Sequence, residues 1–381
     1  MQHRAPPTAG SDMRWGRAAA VAGVTAVGAG AVALAAGRAV SEFSVRPRRT
    51  AAEAGGLSVH AATADRIELT RSWESTRPGY YALEWGDDQR TVVGGVLGTG
   101  EQTVARRLES GPVPAAGTAV RITPLVYTGD PRTALGLDFR SIEVRGELGP
   151  MPAWYLPGVR DLWVVAVHGA GADRQQLLPL LPALDRLKVP VLAVSYRNDP
   201  DAPRSADGIG HFGDTEWRDV EAAMQLALAS GAGRIVLYGL GVGGTMVLQA
   251  ADRSAWRDSV RGIVLDSPVL DWRDTARRRA ARRGVPDALA TLGARAAEGR
   301  SGVDTATIDR LALGDDLRSP VLLLHSPDDS VAPVGPARRL AGLRDDLVWF
   351  QEFPGAEHEA LWNTDPQGYE ETLRRFLTPL L

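Results

Sequence analysis

The chain has 381 residues, enough for two folded units with extensions, and its 44% hydrophobic and 23% charged residues are ordinary for a globular protein that can bury a core. A net charge of −3 excludes an overall basic field for nucleic acid, and the absence of cysteine excludes disulfides and thiolate metal sites while leaving the compartment open. Lys188 is the only lysine, so arginine carries nearly all the positive charge, a composition associated with GC-rich bacterial genomes.

After an N-terminal tail, residues 1–17, Ala18 and Gly37 bound a run of twenty uncharged residues, about the length that crosses a bilayer core as a helix. Alanine and glycine dominate it and Leu34 is its only leucine, so its apolar drive is weak. A single-pass anchor is the leading reading; a cleaved signal peptide ending near Leu34 and a non-membrane tail are the alternatives. Arginines lie on both sides, and an N-terminal anchor that leaves its short end inside would put the globular part outside the cytoplasm. Residues 38–56, with Pro47 and paired glycines, read as a linker.

Residues 57–148 form short alternating runs at 66–70, 80–85, 91–97, 103–108, 118–125 and 139–144, punctuated by Pro78-Gly79, Gly94-Gly95, Gly111-Pro112 and Gly129-Asp130-Pro131. This pattern predicts a small antiparallel β-rich module. It contains no chemical motif, and packing on the second unit is its simplest role.

From Gly149 to the C-terminus, buried strands alternate with amphipathic helices. Apolar runs at 162–167, 189–195, 235–238, 260–265, 321–324 and 347–350 fit strands covered on both faces. The clearest helix, 215–229, has Asp214 or Thr215 to cap it and places Trp217, Val220, Met224 and Leu228 on one face. The alternation predicts an α/β fold with a doubly wound, mostly parallel sheet, whose function gathers at the carboxyl ends of strands. Residues 269–318 read as a short helical cap. Within it Arg277-Arg278-Arg279 and Arg282-Arg283 read as a solvated helix face, with an anion or lipid-headgroup site as the alternative.

One strand, turn and helix has two meanings. Gly239-x-Gly241-x-x-Gly244, with Asp266 further on, matches the spacing of a dinucleotide fingerprint. Two strands and two helices precede it, however, whereas that fingerprint opens its domain. Asp266 is equally the polar end of a central strand.

The other strand ends point elsewhere. Val167 is followed by His168-Gly169-Ala170-Gly171; Leu324 by His325-Ser326-Pro327-Asp328-Asp329-Ser330-Val331-Ala332-Pro333; and Phe353 begins Phe353-Pro354-Gly355-Ala356-Glu357-His358. In kind and order these stretches resemble the α/β-hydrolase superfamily from Gly149 onward. The resemblance implies Asp329 as the acid, His358 as the base, oxyanion-hole amides from Ala170 or Gly171 and from Val242, and a G-x-S-x-G nucleophile elbow in which Gly241 stands where the serine belongs. His168 belongs to the oxyanion turn and Ser267 follows a different strand, so neither is taken as base or nucleophile.

Glycine tolerates the strained backbone of such an elbow but removes the hydroxyl. In enzymes of this kind loss of the nucleophile costs on the order of 10⁶ in kcat. The leading expectation is a membrane-anchored pseudoenzyme that binds a small-molecule or acyl ligand or serves as a scaffold. The alternatives are an ester or amide hydrolase using His358-activated water, with Thr245 as a poor substitute hydroxyl, and a dinucleotide-binding protein. No cofactor or metal and no nucleic acid is called for.

Overall fold

Antiparallel alternation closes a first sheet: β1 (Val59–Ala62), β2 (Arg66–Thr70), β3 (Tyr81–Trp85), β4 (Gln89–Thr99), β5 (Thr103–Ser110) and β6 (Arg121–Thr123). Their spatial order is β1-β2-β5-β4-β3-β6. This computed structural model describes residues 56–86, 88–282, 284–291, 294–295 and 305–381. The expected tail at 1–17, the membrane segment at 18–37 and nearly all of the linker therefore lie outside the described residues. Among the described residues no helix is long and apolar enough to cross a membrane.

Inward-facing Val59, Ile67, Leu69, Tyr81, Leu83, Val93 and Val104 form the core of this first sheet. One fully buried charge, Arg106, organises the neighbouring connection. Its guanidinium donates to the carbonyls of Ser75 (3.0 Å), Arg77 (2.6 Å), Gly79 (2.6 Å) and Gly94 (2.6 Å). Burial lowers its pKa to about 10, so it keeps its charge at neutral pH and its donors stay strong. The pinned 75–79 connection faces the rest of the molecule. There Arg77 Nη2 meets Glu357 Oε2 at 2.5 Å, Tyr80 N donates to Asn363 O at 2.9 Å, and Asn363 Nδ2 donates to the Tyr80 and Pro124 carbonyls at 2.7 and 2.8 Å.

The second sheet contains β7 (Arg140–Gly146), β8 (Gly149–Leu156), β9 (Leu162–Val167), β10 (Val191–Val194), β11 (Arg234–Leu240), β12 (Val260–Asp266), β13 (Val321–His325) and β14 (Val348–Glu352). Its order is β14-β13-β12-β11-β9-β10-β8-β7. The pairs β7–β8 and β8–β10 are antiparallel and all others parallel. Helices cover both faces. On one, Val165 and Val167 of β9 pack with Val220 and Met224 of the helix Trp217–Ala229; on the other, Val164 and Ala166 pack with Leu181, Leu373 and Phe376. The strand reading as a continuous apolar run is thus one buried twice.

Two local expectations change. The strand expected at 139–144 as part of the first module belongs to the second sheet, where β7 makes a hairpin with β8 that pairs Gly146 with Gly149. The β-rich module therefore ends before residue 140, not at 148; alternation marks a half-buried strand but carries no label for its partner sheet. The long helix starts at Trp217, with Glu216 rather than Asp214 or Thr215 at its N-cap position. The Glu216 carboxylate turns back to accept the His211 and Gly213 amides at 2.6 and 3.0 Å. Of the cap at 269–318, the helices Trp272–Ala281 and Thr305–Leu313 are described.

Candidate active site

β11 ends at Leu240, Gly241 turns at φ 50° and ψ −115°, and the helix Val242–Arg253 begins. The turn is fastened by Gly241 N donating to Asp266 O (2.9 Å) and Val269 N donating to Gly241 O (3.1 Å). A side chain at 243 would put its Cβ 2.6 Å from Val167 O, and one at 239 would lie 2.5 Å from the Gly243 carbonyl carbon. These glycines let strand and helix approach each other, which accounts for their spacing without a phosphate. Asp266 is 3% exposed and accepts from Tyr369 OH (2.8 Å), Tyr238 OH (3.3 Å) and Ser267 Oγ (2.9 Å), so no ribose reaches it. Burial pushes its carboxyl up to about 6 against those hydrogen bonds.

The loops after β13 and β14 bring an acid and a base together. His358 Nδ1 lies 2.8 Å from Asp329 Oδ2, while Asp329 Oδ1 accepts from the Val331 and Ala332 amides at 2.8 and 2.7 Å. Buried His325 stands behind, with Nε2 3.4 Å from Asp329 Oδ2. Burial alone would raise the Asp329 carboxyl, but the charge on His358 and the hydrogen bonds from His325 and His358 hold it far below the usual carboxylate range. Burial favours neutral His358, yet the charges of Asp329 and Glu359 outweigh it and raise the imidazole pKa. Both loops are tied by Glu357, which accepts from Ser330 N (3.1 Å) and Ser330 Oγ and pairs with Arg77 of the first module.

Glu359 completes the cluster, and sequence reasoning missed it. Its backbone has φ 56°, unusual for a residue with a side chain, and its amide donates to Ser267 Oγ at 3.2 Å. This turns the carboxylate back over the glycine turn. A Cβ built on Gly241 would collide with Glu359 Oε1 and lie 2.8 Å from its Cδ, and a Cβ on Gly169 would also run into the carboxylate. Gln176 Nε2 holds Oε2 at 2.6 Å, and Gln176 Oε1 accepts from Gly169 N at 2.8 Å. The other oxygen, Oε1, faces His358 Nε2 at 3.4 Å, and neither atom has a hydrogen-bond partner among the described residues. Proximity to His358 in the chain was the only sequence signal for it.

Ala170, Gly171 and Val242 border one cavity of about 50 Å³, together with Tyr196, Phe212 and Met246. No hydrogen bond from the Ala170, Gly171 and Val242 amides appears among the described residues. His168 is buried away from His358: its ring stacks on Tyr196 (centroids 4.5 Å apart) and its Nε2 meets Asp199 Oδ2 at 2.9 Å. Thr245 Oγ1 is buried and donates to Val269 O at 2.7 Å, which turns it away from this cavity.

A family model described as a domain of unknown function (DUF8805) matches residues 58–123, the first module. No curated protein matches the chain. Among solved structures, an esterase from Pyrococcus furiosus is similar at 18% identity with a TM-score of 0.56, over 67% of this chain and 95% of that one. Two further crystal forms of the same esterase superpose at TM-scores of 0.54 and 0.53, each at 16% identity, over 67% of this chain and 97% and 95% of theirs.

The chain has the α/β-hydrolase fold. Within the α/β-hydrolase fold, Asp329 and His358 stand on the loops after β13 and β14, Gly241 lies at the turn beside them, and Ala170, Gly171 and Val242 line the adjoining cavity. The three sequence signals for this fold therefore converge in space, joined by Glu359 and Gln176 from outside the motifs.

Proposed function

We propose that this protein is an α/β-hydrolase-fold pseudoenzyme: Gly241 stands in place of the nucleophilic serine, and the site binds a ligand without forming an acyl-enzyme. The observation that carries the reading is the Glu359 carboxylate, which fills the space a side chain at 241 would take and lies 3.4 Å from His358 Nε2. Two carboxylates beside the imidazole favour its protonated form, which donates a proton rather than accepting one. A carboxylate is also a poor acyl acceptor, since its product is a mixed anhydride.

The test is a serine-directed fluorophosphonate probe with an ester panel, applied to the unaltered chain, G241S and G241S/E359A. The unaltered chain is expected to stay unlabelled, because it has no seryl oxygen at 241; G241S is expected to label less than G241S/E359A, because the displaced Glu359 carboxylate stays beside the new serine. Labelling of the unaltered chain, or ester turnover by it that disappears in H358A, overturns the proposal. We further propose residues 18–37 as a single-pass anchor with the folded part outside the cytoplasm. Extraction of the chain from membranes by carbonate alone would refute the anchor.

A further inference from the structure

A cavity of about 30 Å³ lies where the connection after β6 meets the segment that follows His358. Pro124 and Tyr127 border it from the first module's side, and Glu359, Trp362 and Tyr369 from the other, with Tyr238 of β11 and Asp266 of β12 between them. Both sides are held in place: Asn363 Nδ2 donates to Pro124 O at 2.8 Å, and Trp362 Nε1 donates to Glu370 Oε1 at 3.2 Å. Asp266, Tyr238 and Tyr369 are buried, whereas Tyr127 and Trp362 are half-buried, which leaves the cavity a way out to solvent.

Its chemistry is one-sided. Two carboxylates, Glu359 and Asp266, border it, and among the described residues no lysine, arginine or histidine does. Aromatic rings supply much of the remaining wall, Tyr127 and Trp362 having centroids 5.9 Å apart and planes tilted by 54°. The faces of such rings attract cations. Asp266 is satisfied by the hydroxyls of Tyr369, Tyr238 and Ser267. Glu359 is not: Gln176 holds Oε2, Oε1 has no hydrogen-bond partner among the described residues, and His358, 3.4 Å away, is bound to Asp329 at 2.8 Å. The two negative charges also bear on each other, since burial pushes the Asp266 carboxyl up and the charge of Glu359 adds to the rise. A larger cavity of about 360 Å³, at the amino ends of β12 and β13, is mixed by contrast: Arg257, Arg261 and Arg318 stand beside Asp252, Asp258 and Asp316.

We infer that the small cavity takes a primary ammonium group, with Glu359 as its counter-charge and the rings of Tyr127 and Trp362 beside it. A volume of about 30 Å³ has room for a group the size of a water molecule, which a primary ammonium is and a trimethylammonium is not. The first module thereby gains a role, because Tyr127 follows directly on its last strand. The inference rests on reading the candidate site as one that binds a ligand, since Glu359 belongs to both.

The experiment titrates the full chain by calorimetry at neutral pH with straight-chain primary amines from methylamine to hexylamine, with the alcohols of the same lengths, and with the corresponding alkyltrimethylammonium salts. The amines are expected to bind at least about tenfold more tightly than the alcohols, and E359Q to lose about tenfold or more, as for a hydrogen bond between charged groups. D258N, on the larger cavity, is expected to bind amines as the unaltered chain does. Equal affinity for amine and alcohol, unchanged amine binding in E359Q, tighter binding of the trimethylammonium salts, or a loss in D258N in place of E359Q overturns the assignment. If E359Q does not fold, Y127L replaces it, with an expected loss of about twofold or more; undiminished amine binding there also overturns the assignment. Fluorophosphonate labelling reports separately on the absence of serine chemistry, so failure of one reading is distinguishable from failure of the other.

Discussion

Serine at position 241 tests whether Glu359 and the glycine turn share a single space. The seryl Cβ would collide with Glu359 Oε1 and lie 2.8 Å from its Cδ. The obstructing atom ends a flexible side chain, so the carboxylate swings aside and the backbone stays. What is lost is the 2.6 Å bond from Gln176 Nε2, a hydrogen bond to a charged group worth about 1.5–3 kcal/mol. A side chain at φ 50° adds about 1–2 kcal/mol of backbone strain. G241S is therefore expected to cost about 2.5–5 kcal/mol. In an E359A background the Gln176 bond is already gone, and the serine adds only the strain. The two substitutions should thus be coupled by about 1.5–3 kcal/mol, the double variant being more stable than the sum of the singles predicts. Urea unfolding of the unaltered chain, both single variants and the double variant measures this coupling, provided the m-values agree. Additivity to within about 0.5 kcal/mol would refute the shared space.

Three further outcomes follow from the same contacts. His358 should titrate above the ordinary histidine value by NMR, and E359Q should lower its midpoint; an unmoved midpoint would show that Glu359 does not act on the ring. Because folding favours the protonated imidazole, its contribution to stability is complete below about pH 6.5 and is lost as pH rises through the folded-state value, whereas that of Asp329, depressed in the fold, is complete above about pH 4 and is lost as pH falls. R77M leaves Glu357 buried without its guanidinium and should cost about 3–5 kcal/mol in denaturant unfolding; a cost below about 1 kcal/mol, typical of an exposed pair, would mean that the contact is not a working joint between the two sheets. G239A sets a Cβ against the Gly243 backbone, where no side chain can move aside, and should cost more than about 4 kcal/mol by the same measurement; near-neutral behaviour would refute the close approach of strand and helix.

The order of the strand ends was legible because each carries a short local pattern. A histidine-glycine turn after β9, a glycine turn after β11, an aspartate after β13 and a histidine after β14 keep their chain order whatever the packing. Strand 139–144 was legible as a strand but not as a member of the second sheet. Its partner is chosen by the hairpin through Gly146 and Gly149 and by the helix Trp217–Ala229, which packs against it. Asp266 drew attention through its spacing from the glycines, and only burial against Tyr238 and Tyr369 explains it as the polar floor of the fold.

Composition, alternation and motif order by themselves determined a β-rich module, a wound parallel sheet, and a glycine turn accompanied by Asp329 and His358. These are local properties, written in periods of two and 3.6 residues and in short loops. What occupies the turn was decided only in three dimensions. Glu359 enters it through a left-handed backbone, an amide bond to Ser267 and a carboxylate bond to Gln176, partners 92 and 183 residues away in the chain.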